Sequence, residues 1–67
     1  MADRVYKMIE LVGTSDKSYE DAIEQAIHKA EGTLDDLAWW EVDEFRGGIS
    51  GGEIEYQVRL RVAFKLH

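Results

Sequence analysis

Sixty-seven residues carry 14 acidic against 8 basic side chains, a net charge of −6, with two histidines and no cysteine. That excludes disulfides and thiolate metal sites, and it opposes unaided binding to nucleic acid or anionic membrane, both of which reward clustered Lys and Arg. A chain this short buries only about 60% of the surface its unfolded form exposes, and with no metal pair at His28 and His67, oligomerisation is the stabilising device left to it.

The opening MADRVYK lacks the apolar core of a signal peptide, and no apolar run nears the roughly 20 residues that span a bilayer. A soluble, cytoplasmic chain forming one domain over 1–67 is expected. Residues 4–12 (RVYKMIELV), rich in β-branched and aromatic types, predict a first strand ending at Gly13. Val5, Ile9 and Leu11 share one face with Lys7, while Tyr6, Met8 and Val12 share the other with Glu10. Apolar residues on both faces call for two covers, and in so small a chain the second must be another subunit. Residues 13–17 read as a turn, without the glycine–lysine pattern of a phosphate loop. Ser18 stands where a helix N-cap belongs, with Asp21 as its capping-box partner. Tyr19, Ala22, Ile23, Ala26, Ile27, Ala30 and Leu34 then recur at helical spacing as one apolar stripe. Because Leu34 continues the stripe, the helix is expected to run past Gly32 rather than be capped there.

Residues 37–46 predict the second strand, Gly47-Gly48 and Gly51-Gly52 a flexible connection, and residues 53–66 the third strand. Ile54, Tyr56, Val58, Leu60, Val62, Phe64 and Leu66 alternate with a mostly polar set, so one face packs on the helix. Its regularity marks this strand as central. The fold class is therefore α+β in the order β-α-β-β. The first and second strands are parallel to each other, and the third is antiparallel between them.

The second strand holds two adjacent tryptophans, which must point to opposite faces of the sheet. Ala38, Trp40 and Val42 make a more apolar set than Trp39, Glu41 and Asp43, so Trp40 is assigned to the core and Trp39 to the open face. Phe45 and Arg46 break this phase, which predicts a bulge near Asp43–Glu44. Gln57, on the polar phase of the third strand, shares the open face. An exposed indole there either joins subunits or stacks on a planar ligand, with the Gln57 amide able to donate and accept hydrogen bonds. The residues alone leave both open.

The β-α-β-β order, Val12-Gly13-Thr14-Ser15 before the helix, the strand Leu37-Ala38-Trp39-Trp40-Glu41-Val42, Arg46-Gly47 and Tyr56-Gln57-Val58 together resemble the dodecins, across essentially the whole chain. The resemblance implies a three-stranded antiparallel sheet packed on one helix and assembled as a hollow homododecamer. It also implies flavins bound in pairs near subunit contacts, between symmetry-related tryptophans, for storage, sequestration and photoprotection rather than turnover. By position, Trp39 matches the stacking tryptophan, Gln57 the glutamine at the polar edge of the isoalloxazine, and Arg46 the arginine of bacterial-type members. Arg46 points to FMN, with riboflavin and FAD left open. Some members bind coenzyme A through basic residues near the helix end, but here Thr33-Leu34-Asp35-Asp36 is acidic, which argues against that ligand. Two other classes compete. A flavin-dependent oxidoreductase could draw on Glu41, Asp43 or Glu44, although stacking on both flavin faces would block hydride access. A purely structural assembly module would use Trp39 only as a subunit contact. No catalytic residue and no metal ligand is assigned.

Overall fold

The computed structural model describes residues 4–67, so the reading of the MADRVYK start rests partly on residues 1–3, outside the described range. Four elements follow in order: β1 (Tyr6–Ser15), α1 (Tyr19–Glu31), β2 (Leu37–Ser50) and β3 (Glu53–Lys65). The sheet runs β1-β3-β2, with β3 antiparallel to both neighbours. This is the expected architecture, with the third strand central.

β1 does not end at Gly13. It continues to Ser15, and Gly13 pairs with Val58. A Cβ on Gly13 would lie 2.1 Å from the Ala22 carbonyl oxygen, so this glycine marks the point where the helix presses on the strand rather than a turn. Ser15 is buried, and its Oγ donates to Asp21 Oδ2 at 2.6 Å while accepting the Lys17 N–H at 2.9 Å. Ser18 is the N-cap, its Oγ accepting the Asp21 N–H at 3.0 Å. The Asp21 carboxylate, however, answers Ser15 and not the Ser18 backbone as a capping box would. Strand end and helix start are thus tied by one buried hydroxyl.

The helix stops at Glu31, with Gly32 as its C-cap, earlier than the apolar stripe implied. The Ala30 carbonyl accepts from the Thr33 N–H at 3.1 Å, the Leu34 N–H at 2.9 Å and the Thr33 hydroxyl at 3.3 Å. Gathering those donors on one oxygen tightens the last turn and ends the regular ladder. Leu34, the last residue of the stripe, is half-buried.

Ala22 and Ala26 of the helix pack with Val58, Leu60 and Val62 of β3, and Ile9 and Leu11 of β1 close the cluster. Small side chains on the helix allow this close approach. α1 lies over β1 and β3, so most of β2 has no cover. Trp40 shows the consequence. It pairs with Val62 and so shares the helix-facing side, as its phase predicts, yet it is 48% exposed. Its assignment to the core is corrected: the face is right, but the helix stops short of it.

β2 also runs beyond residue 46, through Gly47 and Gly48 to Ser50. Those two glycines are strand residues, not part of a flexible connection; a Cβ on Gly48 would crowd Gln57 Nε2 at 3.1 Å. The turn is Gly51-Gly52 alone, both with positive φ (57° and 82°), the conformation that suits a two-residue hairpin between twisted strands. A register shift between Val42 and Glu44 confirms the bulge at Asp43. The molecule measures 55 × 21 × 14 Å, with a radius of gyration of 13.9 Å, against about 11 Å for a compact chain of this length. The long β2–β3 hairpin extends beyond the single core.

Candidate functional site

Alternation along β3 places Gln57, Arg59, Arg61 and Ala63 on the face away from the helix, and the register aligns partners from both edge strands with them. On β2 those partners are Arg46 opposite Gln57, Glu44 opposite Arg59, Glu41 opposite Arg61 and Trp39 opposite Ala63. Trp39 and Arg46 are seven residues apart, so simple alternation would send them to opposite faces. The extra residue at Asp43 resets the phase, carrying Arg46 to the open face and Phe45 to the helix side. The bulge is what brings Trp39, Arg46 and Gln57 onto one surface.

Those three residues do not form one cluster. From the Gln57 level to the Ala63 level is six residues of β3, about 20 Å at strand rise. Arg46 and Gln57 are cross-strand neighbours; Trp39 stands at the other end of the sheet. At the Arg46 end, the half-buried Gln57 lies over Gly48 and donates from Nε2 to Glu55 Oε1 at 2.8 Å. An open cleft of about 410 Å³ runs past Gln57, Gly48 and Ile54 toward the hairpin tip. Arg46 is exposed, and among the described residues it makes no ion pair.

At the other end, Trp39 is 42% exposed, and the Tyr6 ring from β1 meets it edge-on, centroids 4.9 Å apart. Fully buried Ala63 pairs with Trp39 on one side and Met8 on the other, and its small side chain lets Tyr6, two residues along from Met8 and opposite Lys65, reach Trp39 diagonally across the central strand. The Trp39 indole Nε1–H donates to Glu41 Oε2 at 3.0 Å. Arg61 reaches the other Glu41 oxygen at 3.3 Å and holds Asp43 with two contacts, 2.9 and 3.0 Å. The Asp43 hydrogen bond and charge raise the Arg61 pKa above its ordinary value, so the guanidinium stays protonated. Between the two ends, Arg59 lies 3.5 Å from Glu10 and 3.9 Å from Glu44, lacing all three strands. The roles of Tyr6, Glu41 and Arg61 around Trp39 are absent from the sequence reading, although alternation already set Glu41 beside Trp39.

Among the described residues, no three His, Cys, Asp or Glu side chains gather where a metal ion could sit. No helix among them is long and apolar enough to cross a membrane.

A family profile described as Dodecin matches residues 5–67. The chain belongs to the dodecin family. It is 52% identical over 64 residues to Dodecin of Thermus thermophilus, covering 94% of this chain and 93% of that protein. It is 38% identical over 63 residues to Calcium dodecin of Mycobacterium tuberculosis, covering 92% and 89%. Among solved structures, the tt0972 protein from Thermus thermophilus matches with a TM-score of 0.91 at 48% identity over 97% of each chain. The dodecin from Streptomyces coelicolor gives 0.93 at 37% identity, covering 100% of this chain and 97% of the other. Dodecins are small binding proteins rather than enzymes. The three-stranded antiparallel sheet on one helix is thus a dodecin fold in topology as well as sequence.

Proposed function

We propose that this dodecin binds and stores a flavin, FMN foremost, stacked on Trp39 at contacts between subunits of a homododecamer. The observation that carries this reading is the division of the open face. An aromatic plate stands at one end and a cation–amide pair at the other, about 20 Å apart along the strand. One chain alone cannot wrap a ligand with all three residues; a second copy, brought by symmetry, can. The elongated, half-covered shape supports the same assembly, and the dodecamer is the family's known state.

The side chains suit such a ligand. Glu41 already satisfies the indole N–H of Trp39, so what this residue offers is its π face and apolar area. The Gln57 amide can both donate to and accept from a polar ring edge. Arg46, without an ion-pair partner among the described residues, is available to a phosphate, which favours FMN over uncharged riboflavin. When bound, a flavin supplies a light-absorbing, redox-active ring. The protein's part is to stack, to hydrogen-bond and to exclude water and reductants, and an indole in face contact offers excited-state quenching. This is storage with photoprotection, and no acid or base is required of the chain.

Titrating FMN into the protein while following flavin fluorescence tests the reading. The expected result is saturable binding with strong quenching. Trp39→Ala should weaken it by about tenfold or more, since stacking on an aromatic side chain is worth about 1–3 kcal/mol. Full affinity and full quenching in Trp39→Ala would remove Trp39 from the site. Steady-state oxidation of a reduced nicotinamide by the FMN-loaded protein would favour a flavoenzyme instead.

A further inference from the structure

We infer that Glu41 is a positioning residue for Trp39, holding the indole plane ready before any ligand arrives. This rests on Trp39 being the flavin platform. The indole has one donor, Nε1–H, and it is given to Glu41 Oε2 at 3.0 Å, two residues along the same strand face. Surface carboxylates normally move freely among rotamers, and such a contact would not hold a ring. This carboxylate is itself held: its second oxygen meets Arg61 Nη2 at 3.3 Å. Arg61 is fixed in turn by the two-contact pair with Asp43, on the bulge. Because Asp43 takes the guanidinium so completely, Glu41 can turn one oxygen to the indole instead of giving both to the arginine. Tyr6 closes on the ring edge-on. The indole is thus braced from all three strands: Tyr6 on β1, Glu41 and Asp43 on β2, and Arg61 on β3.

The expected gain is preorganisation. A side chain already in its bound rotamer avoids the ordering cost on binding, which corresponds to about two- to tenfold in affinity. The carboxylate also takes up the indole's one polar edge, so what the ring offers a ligand is π surface. The sheet's bulge therefore serves the platform as well as the distant Arg46: it supplies the Asp43 that anchors Arg61.

The contact is testable without ligand. In a Trp40→Phe background Trp39 is the sole indole, so its Nε1–H resonance, its hydrogen exchange and its fluorescence anisotropy decay each report one ring. Glu41→Met keeps the side-chain length and removes the acceptor; Glu41→Ala is a second acceptor-free variant should the first fail to fold. Glu41→Gln keeps an acceptor oxygen. Loss of Glu41 should speed indole exchange and free the ring's motion while far-UV circular dichroism stays native, and Glu41→Gln should largely restore the wild-type values. With FMN, the acceptor-free variants should bind about two- to tenfold more weakly and Glu41→Gln within about twofold of wild type. Unchanged exchange and anisotropy in the acceptor-free variants would overturn the inference. Absence of FMN binding by the wild type would overturn the flavin reading instead, and the ligand-free measurements would still decide the Glu41 contact.

Discussion

Single residues in this chain carry constraints of very different strength, and two glycines show the range. At Gly13 the nearest atom to an added Cβ is a helix carbonyl oxygen at 2.1 Å; at Gly32 it is the Lys29 carbonyl at 3.4 Å, with φ at −71°. Gly13→Ala must push the helix off the sheet and should cost about 3 kcal/mol. Gly32→Ala enters a backbone conformation that alanine already favours and should gain about 0.5 kcal/mol by restricting the unfolded chain. Urea denaturation of both variants beside the parent checks the pair, and equal effects would contradict the close approach at Gly13. Ser15→Ala removes the hydroxyl that ties β1 to α1, leaving Asp21 and the Lys17 N–H without it, and should cost about 1–3 kcal/mol in the same assay. Neither Gly13 nor Ser15 was legible from local sequence, whereas Gly32 stands there as a candidate C-cap, outweighed only by the Leu34 stripe. Gly13 and Ser15 look like turn residues because glycine and serine break strands on average; here the partners that demand them lie on the following helix, Ala22 nine residues after Gly13 and Asp21 six after Ser15.

Among the elements, β2 departs most from simple alternation. The bulge at Asp43 was legible, because Phe45 and Arg46 stand out of phase with Trp40 and Val42, but the register shift between Leu37 and Trp39 was not. Deleting Asp43 should return the strand to strict alternation with Arg46 still on the open face, because its spacing from Trp39 falls from seven residues to six, and should take the Arg61 anchor away. FMN affinity is then expected to fall by about two- to tenfold, the cost of a less ordered Trp39. Asp43→Ala, which keeps the residue count and removes the same carboxylate, should lower it by a similar amount. An FMN titration of the two variants checks this, and a much larger loss on deletion would show that the bulge's own geometry shapes the site. The length of β2 was hidden for a different reason. Gly47 and Gly48 carry the composition of a loop, but they sit in the ladder opposite Tyr56 and Glu55, and Gly48 makes room for Gln57. Trp40 was hidden for a third reason: phase assigns a residue to a face, whereas coverage depends on where the helix lies. α1 crosses β1 and β3, and nothing in the period of β2 announces that.

For the whole molecule, the excess of radius over a compact chain of this length places many apolar groups in water. Phe45, Ile49 and Ile54 are 57%, 84% and 59% exposed, beside Trp40 at 48%. A protein of this shape draws its stability from association, so its melting temperature should rise with protein concentration. Differential scanning calorimetry over a hundredfold concentration range measures this, and a constant melting temperature across a range where the oligomer dissociates would count against it. Trp40→Glu, with a charge where a second copy is expected to pack, should shift size-exclusion elution toward the monomer. The need for a partner was legible in the composition, from the small size and the lack of disulfides; the surface that meets the partner was not.

The distance between Trp39 and the Arg46–Gln57 pair makes the proposed site divisible. Subunits with Trp39→Ala and subunits with Arg46→Ala plus Gln57→Ala each lack one half, and homogeneous assemblies of either should bind FMN poorly. Unfolded together and refolded as a mixture, they should regain a fraction of intact sites, because each kind supplies what the other has lost. Recovery should follow the mixing ratio and peak near equal parts. Such complementation is a property of a site written across two chains, and a pocket held within one chain could never show it.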